Sequence, residues 1–382
     1  MVHMRWLLNT YQLMHRLTYQ HTKNPLHISS NLTINNADEY IRRCAPTVSC
    51  DPNAKYRTIN GSCNNLLSPT MGAAETPFLR LLDAEFGDGY YELRKQINGS
   101  ALPSARLIND KIFMGRELYH VDENNILLLP FAQLLAHDIT GLPDDTLFDE
   151  QGVLVNCATD KIARKTFTQC QAAVDFPPDD PVYGKYNVTG MNNYRSLTSR
   201  NYSCPLFPTT FMNVNTQFID ASEVYGSKEN VTKHLRLMEG GRLRFSVSEN
   251  GQMFCPFIGS KEGVEFSSNK RPHGIHYDTG DPKNGNQNLG ITAMQTLFLR
   301  FHNYITYKLS ALNPNWSDET LYQEARRIVI ATIQRIAYED FLPIVIGDDF
   351  QEAYGINNEN IYSPTVSPAT SQELSSAAFR VL

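Results

Sequence analysis

Between Ile291 and Leu309 the apolar side chains Met294, Leu297, Phe298, Phe301, Ile305 and Leu309 fall three and four positions apart, the spacing of one face of a buried helix. After the turn Asn313-Pro314-Asn315, Ser317 is placed to cap a second helix, with Asp318 and Glu319 in its first turn, where negative charge suits the helix dipole. Leu321, Ala325, Ile328, Thr332 and Ile336 line one face of that helix, and Pro343 ends it. The pattern predicts a third helix over about 124–139, through FAQLLAHD, and a fourth over Phe218–Tyr225 with Thr216 near its start. Alternation of period two is scarce, so the expected fold is mainly α.

Length and composition bound this picture without changing it. With 382 residues, 41% hydrophobic and 19% charged, the chain can bury a large core. Loop signals such as PDDP at 178–181, NGNQN at 284–288 and NNEN at 357–360 are spread throughout, with no linker and no fixed-period repeat, so one large domain is expected. The longest apolar stretch, from Ile126 to Leu129 and on to Ala132, is far short of the roughly 20 residues a membrane span needs. A net charge of -6 offers no diffuse basic surface, which argues against nucleic acid and anionic lipid as partners.

Seven cysteines, at 44, 50, 63, 157, 170, 204 and 255, lack the paired spacing of structural zinc sites. Seven Asn-x-Ser/Thr sequons begin at Asn31, Asn60, Asn98, Asn187, Asn201, Asn230 and Asn315; with the cysteines they favour a secreted, disulfide-forming glycoprotein. The first twenty residues contain no apolar core of signal-peptide length. The rival reading is a mitochondrial transit segment, since Arg5, Arg16 and Lys23 precede the first acid, Asp38, although serine is sparse.

Two segments carry candidate chemistry. In FAQLLAHDITG, Gln133 and His137 are four apart and project from the same helix side; a lone histidine there is more commonly a satisfied core residue than a catalyst. In NVNTQFIDASEVYGS, Thr216, Asp220 and Ser222 bring oxygen-bearing side chains close together, and the Phe218 carbonyl adds a fourth oxygen. With Asp138 they would make a set of hard ligands suited to calcium. Spacing alone favours the simpler reading, helix capping by Thr216 or Asp220.

The segments YRTINGSCNNL (56–66), GAAETPFLRLL (72–82), LPSARLI (102–108), FAQLLAHD (131–138), TQFIDASEVYGS (216–227), TAMQTLFLRFHN (292–303) and LYQEARRIVIATIQRIAYEDFLPIVIG (321–347) together resemble the animal haem peroxidases. The likeness runs from about Cys50 to Leu382, after an N-terminal extension at 1–49. It implies a mostly helical domain around haem. His137 would be the distal acid/base for hydrogen peroxide, Gln133 would order distal water, and Asp138, Thr216, Phe218, Asp220 and Ser222 would bind calcium. It also implies a disulfide between Cys50 and Cys63, a second between Cys157 and Cys170, and a structural role for His302.

Three departures accompany the likeness. Lys283 stands where the family has a distal arginine, keeping the charge but losing the planar fork. Ala136 and Asn286 or Gln287 replace the carboxylates that can esterify haem, so haem b would be held non-covalently. The chain stops at SSAAFRVL, and the proximal histidine would lie beyond Leu382, so the domain is expected to be incomplete at its C-terminus. Two functions are therefore expected. One is a secreted peroxidase oxidising small donors or matrix tyrosines, with Lys283 a weak electrostatic partner of His137. The other is a non-enzymatic extracellular, biomineral-type matrix glycoprotein that retains the scaffold and calcium site.

Overall fold

The computed structural model describes residues 47–89, 91–113, 124–199, 209–256, 277–281, 285–356 and 362–381. Among them the helices are α1 (Ala105–Phe113), α2 (Leu128–Ile139), α3 (Lys161–Thr166), α4 (Ser222–Tyr225), α5 (Glu229–Leu235), α6 (Leu289–Leu312), α7 (Asp318–Arg335), α8 (Leu342–Ile346), α9 (Asp348–Ala353) and α10 (Gln372–Ser376). Among the described residues strand is confined to three antiparallel two-residue pairs and isolated bridges, so the fold is mainly α as expected.

The core forms where α2, α4, α6 and α7 meet, around Leu134, Val224, Tyr225, Ile291, Phe298, Tyr322, Val329 and Ile333. Ser317 caps α7 by accepting from the Thr320 amide at 3.2 Å, as expected, and Asn288 caps α6 by accepting from the Ile291 amide at 3.0 Å. The buried stripes depart from the expected ones. On α6, Leu297 is exposed while Gln295, His302, Asn303 and Thr306 are buried. On α7 the stripe runs through Leu321, Tyr322, Ala325, Val329 and Ile333; Ile328 is exposed. Buried polar groups with tertiary hydrogen bonds turned both helices away from the face that apolar counting selects.

Two helix ends also differ. α7 stops at Arg335 and passes through a π turn, Ile336–Phe341, so Pro343 lies in the first turn of α8 instead of ending the second helix. The fourth helix is shorter than expected: it begins at Ser222 behind Ala221, whose φ is 61°, and its first amides are met by the Asp138 carboxylate of α2. Residues 217–220 are bends, and side chains of the 216–220 segment are taken up in the site below.

Both expected disulfides are present. Cys50–Cys63 and Cys157–Cys170 each span a separation of 13 residues, with Cα atoms 5.6 and 5.1 Å apart. The second lies in a small satellite core with Ala163, Ala173 and Tyr194. Cys255 is a buried free thiol that burial pushes up to about 11; Cys44 and Cys204 lie outside the described residues.

Candidate functional site

α2 carries the candidate histidine because its apolar residues anchor it: Phe131, Leu134 and Leu135 enter the main core, leaving His137 and Asp138 buried at the C-terminal turn. Orphan carbonyls there are taken up by side chains from the 213–215 segment. Asn213 donates to the Ile139 carbonyl at 2.9 Å, and Asn215 donates to the His137 carbonyl at 2.5 Å.

Asp138 faces the start of α4. The Ser222 hydroxyl lies 2.8 Å from both its backbone carbonyl and its Oδ1, and the Ala221 amide donates to Oδ2 at 3.1 Å. Across the same loop the Thr216 hydroxyl donates to Asp220 Oδ1 at 2.7 Å, while Asp220 Oδ2 is buried without a hydrogen-bond partner. Burial, and then the Asp220 charge, push Asp138 above the usual carboxylate range. Burial also raises Asp220, opposed by the Thr216 hydrogen bond and by Arg326 and Arg57. Two buried carboxylates interleaved with hydroxyls and one orphaned oxygen are the surroundings a hard dication neutralises, so this donor set fits calcium. Thr216 does not precede a helical turn, whereas Asp220 lies two residues before α4 and its carboxyl also meets the Ser222 amide, so ion binding and capping draw on the same oxygens.

A second group of acids lies beside the first. Glu223, fully buried, places Oε1 3.7 Å from His137 Nδ1, and its Oε2 accepts from the Gln295 amide. Asp281 joins them, and one ligand atom from each of His137, Glu223 and Asp281 lies within 4.8 Å of the others. Burial, then the Asp281 and Asp138 charges, raise Glu223 well above its ordinary value. Gly280 permits this approach: a Cβ there would lie 2.4 Å from the Glu223 carbonyl oxygen. Sequence reasoning assigned no role to Glu223 or Asp281. The available signal was an acid inside the otherwise apolar EVY turn and a buried glutamine, Gln295, on the facing helix.

One turn before His137, Gln133 is held by two amides: it donates to Gln287 Oε1 and accepts from Asn288 Nδ2, each at 2.9 Å. Asn286 exchanges two 2.7 Å bonds with the Tyr277 backbone, and Ala136 is buried. Lys283 lies outside the described residues. These residues fit the distal half of a haem pocket. The other two described histidines are engaged elsewhere: His302 is buried between Tyr225 and the Gly241 carbonyl, and His234 pairs with Asp278.

The sequence matches the model of the animal haem peroxidase family over residues 56–382. It is 35% identical to a chorion peroxidase of Aedes aegypti over 353 residues, covering 89% of this chain and 43% of that protein. It is 32% identical to the myeloperoxidase of Homo sapiens over 338 residues, covering 84% of this chain and 44% of the relative. The chain thus spans less than half the length of these two relatives. Among solved structures it is similar to peroxidase A of Dictyostelium discoideum, with a TM-score of 0.65 and 23% identity, over 86% of this chain and 59% of that one. That likeness shows the fold. The family match takes in both the His137 helix and the 216–227 loop, and the chain accordingly belongs to the animal haem peroxidases.

Proposed function

We propose that this protein carries the distal, peroxide-handling face of a secreted haem peroxidase, in a domain covering residues 50–382. The observation that carries the reading is the consecutive placement of His137 and Asp138 at the buried end of α2, with Asp138 bound to the start of α4. Calcium held by Asp138, Thr216, Phe218, Asp220 and Ser222 would fix the histidine one residue away, since a bound cation adds folding free energy to the loop it closes. Haem b, when bound, supplies the redox chemistry that splits hydrogen peroxide. His137 then takes the peroxide proton on Nε2, the ring nitrogen opposite the Glu223 side, and returns it to the departing oxygen. Gln133, fixed by Gln287 and Asn288, orders water beside it. Lys283 is assigned the electrostatic role of the family's arginine without its bidentate reach. Because Ala136 and Asn286 cannot form esters, haem would be held non-covalently.

Small donors or tyrosines of an extracellular matrix are the substrates in this reading. Secretion is supported by the two disulfides and by the sequons: Asn60, Asn98, Asn187, Asn230 and Asn315, the five within the described residues, are all exposed, where a glycan can be carried. No described helix is long and apolar enough to cross a membrane. The test uses protein isolated from its native source. A stoichiometric Soret band, with peroxide turnover that falls on the order of a hundredfold or more in His137→Ala, is expected. Turnover unaffected by that change would remove His137 from the role. No Soret band at all would favour the second reading, a calcium-stabilised matrix glycoprotein on the same scaffold.

A further inference from the structure

Calcium accounts for only part of the buried negative charge. One dication opposite Asp138 and Asp220 leaves Glu223 and Asp281, two further carboxyls, beside the same helix end. Glu223 is fully buried, and its Oε1 finds no hydrogen-bond donor while lying 3.7 Å from an imidazole nitrogen. Leaving a carboxylate oxygen unsatisfied in the interior is costly unless a cation or proton occupies the space it faces.

The geometry points to a second metal site, formed by His137 Nδ1, Glu223 Oε1 and an Asp281 carboxylate oxygen, that takes a borderline transition dication of the zinc class. One imidazole and two carboxylates suit such ions, whereas calcium takes an all-oxygen shell. Two ligands about 2.0–2.2 Å from one ion sit some 3.4 Å apart at a tetrahedral angle. The 3.7 Å His137–Glu223 separation is close to that, and the 4.8 Å outer limit of the group asks for a small inward movement. Three protein ligands leave a fourth position for water. The site does not depend on haem being bound. On the peroxidase reading it has a consequence, because an imidazole coordinated through Nδ1 carries its proton on Nε2 and cannot accept one there. Metal occupancy and proton acceptance by His137 would therefore exclude each other.

The test is calorimetric titration of metal-stripped, calcium-saturated protein with zinc, with zinc and calcium content measured afterwards. About one zinc per chain is expected, weakened on the order of tenfold to a hundredfold in both Glu223→Gln and Asp281→Asn, with calcium content retained. His234→Asn, which removes the described histidine paired with Asp278, should leave zinc binding unchanged. Wild-type zinc affinity in Glu223→Gln, loss of zinc in His234→Asn, or no zinc uptake by the unaltered protein would each overturn the site. Should Glu223→Gln fail to fold, as judged by far-ultraviolet dichroism, Asp281→Asn decides alone, because Asp281 lies only partly buried at the rim.

Discussion

His302 is buried with both ring nitrogens engaged. Gly241 offers only a carbonyl, so Nε2 carries the hydrogen and donates to it at 2.9 Å, leaving Nδ1 to accept from the Tyr225 hydroxyl at 2.9 Å. Burial holds this imidazole down to about 4, so it stays neutral in the folded protein. A base whose folded value is depressed contributes stability that is present above its unfolded value, near 6.5, and lost as pH falls toward the folded one. Protonation of the unfolded chain between pH 6.5 and 4 should therefore cost on the order of 3 kcal/mol of folding stability. The raised carboxyls of Asp138, Asp220 and Glu223 act in the opposite direction over that window, so the His302 contribution is read as the difference in urea midpoint slope between the unaltered protein and His302→Gln, which should lack it. An unchanged slope would mean that His302 does not govern the acid limb. The structural role of His302 was legible from the LRFHN motif, but its partners, 61 and 77 residues away, were not.

At the level of elements, the four-residue helix α4 has its N-terminus at Asp138, its second residue at His137 and its last at His302. It is entered through Ala221 in the left-handed region, and Gly280 lies against its backbone. Adding a methyl group at Gly280 would put Cβ within 2.4–2.6 Å of the Ser222 and Glu223 main chain, so one of the two segments has to move. Gly280→Ala should lower stability by about 1–3 kcal/mol, read from denaturant midpoints with an unchanged m-value. A neutral result would show that the 280–281 segment is not packed on α4. The apolar periods of α6 and α7 located both helices, because a strong three-and-four pattern survives tertiary context. They misjudged the buried faces, because Arg326 on α7 is buried to donate to the Arg57 and Thr58 carbonyls, a contact across some 268 residues. No local pattern carries that information.

Across the whole molecule, long-range bonds draw distant parts of the chain around the site. Asn65 donates to the Pro364 carbonyl at 2.7 Å, Leu79 bridges to Ser371, and the Gln217 side chain accepts from the Thr370 amide. The 216–222 loop is thus held by segments from both ends of the described chain. On the proposed calcium site, an ion bound there should stabilise the global fold and not merely a local turn. Saturation at a hundred times the dissociation constant is worth about 2.7 kcal/mol. Chelation should accordingly lower the thermal midpoint, and Asp220→Ala should abolish that response; a midpoint indifferent to chelator would dismiss the site. Family motifs singled out Asp138, Thr216, Asp220 and Ser222, and the fold does bring Asp138 against Ser222 and Thr216 against Asp220. The His137–Glu223–Asp281 group was not legible, because it unites three segments whose spacing follows no motif.

Tyr225, the final residue of α4, stands edge-on to Tyr322 with ring centroids 6.0 Å apart and planes at 89°, in surroundings from which water is excluded. Two phenols fixed in so asymmetric a setting give near-ultraviolet circular dichroism that averages away once either ring turns freely. The other end of the same four-residue helix is Ser222, so on the proposed calcium site the tyrosine band should follow ion occupancy, readable without label or cofactor while metals are added or withdrawn.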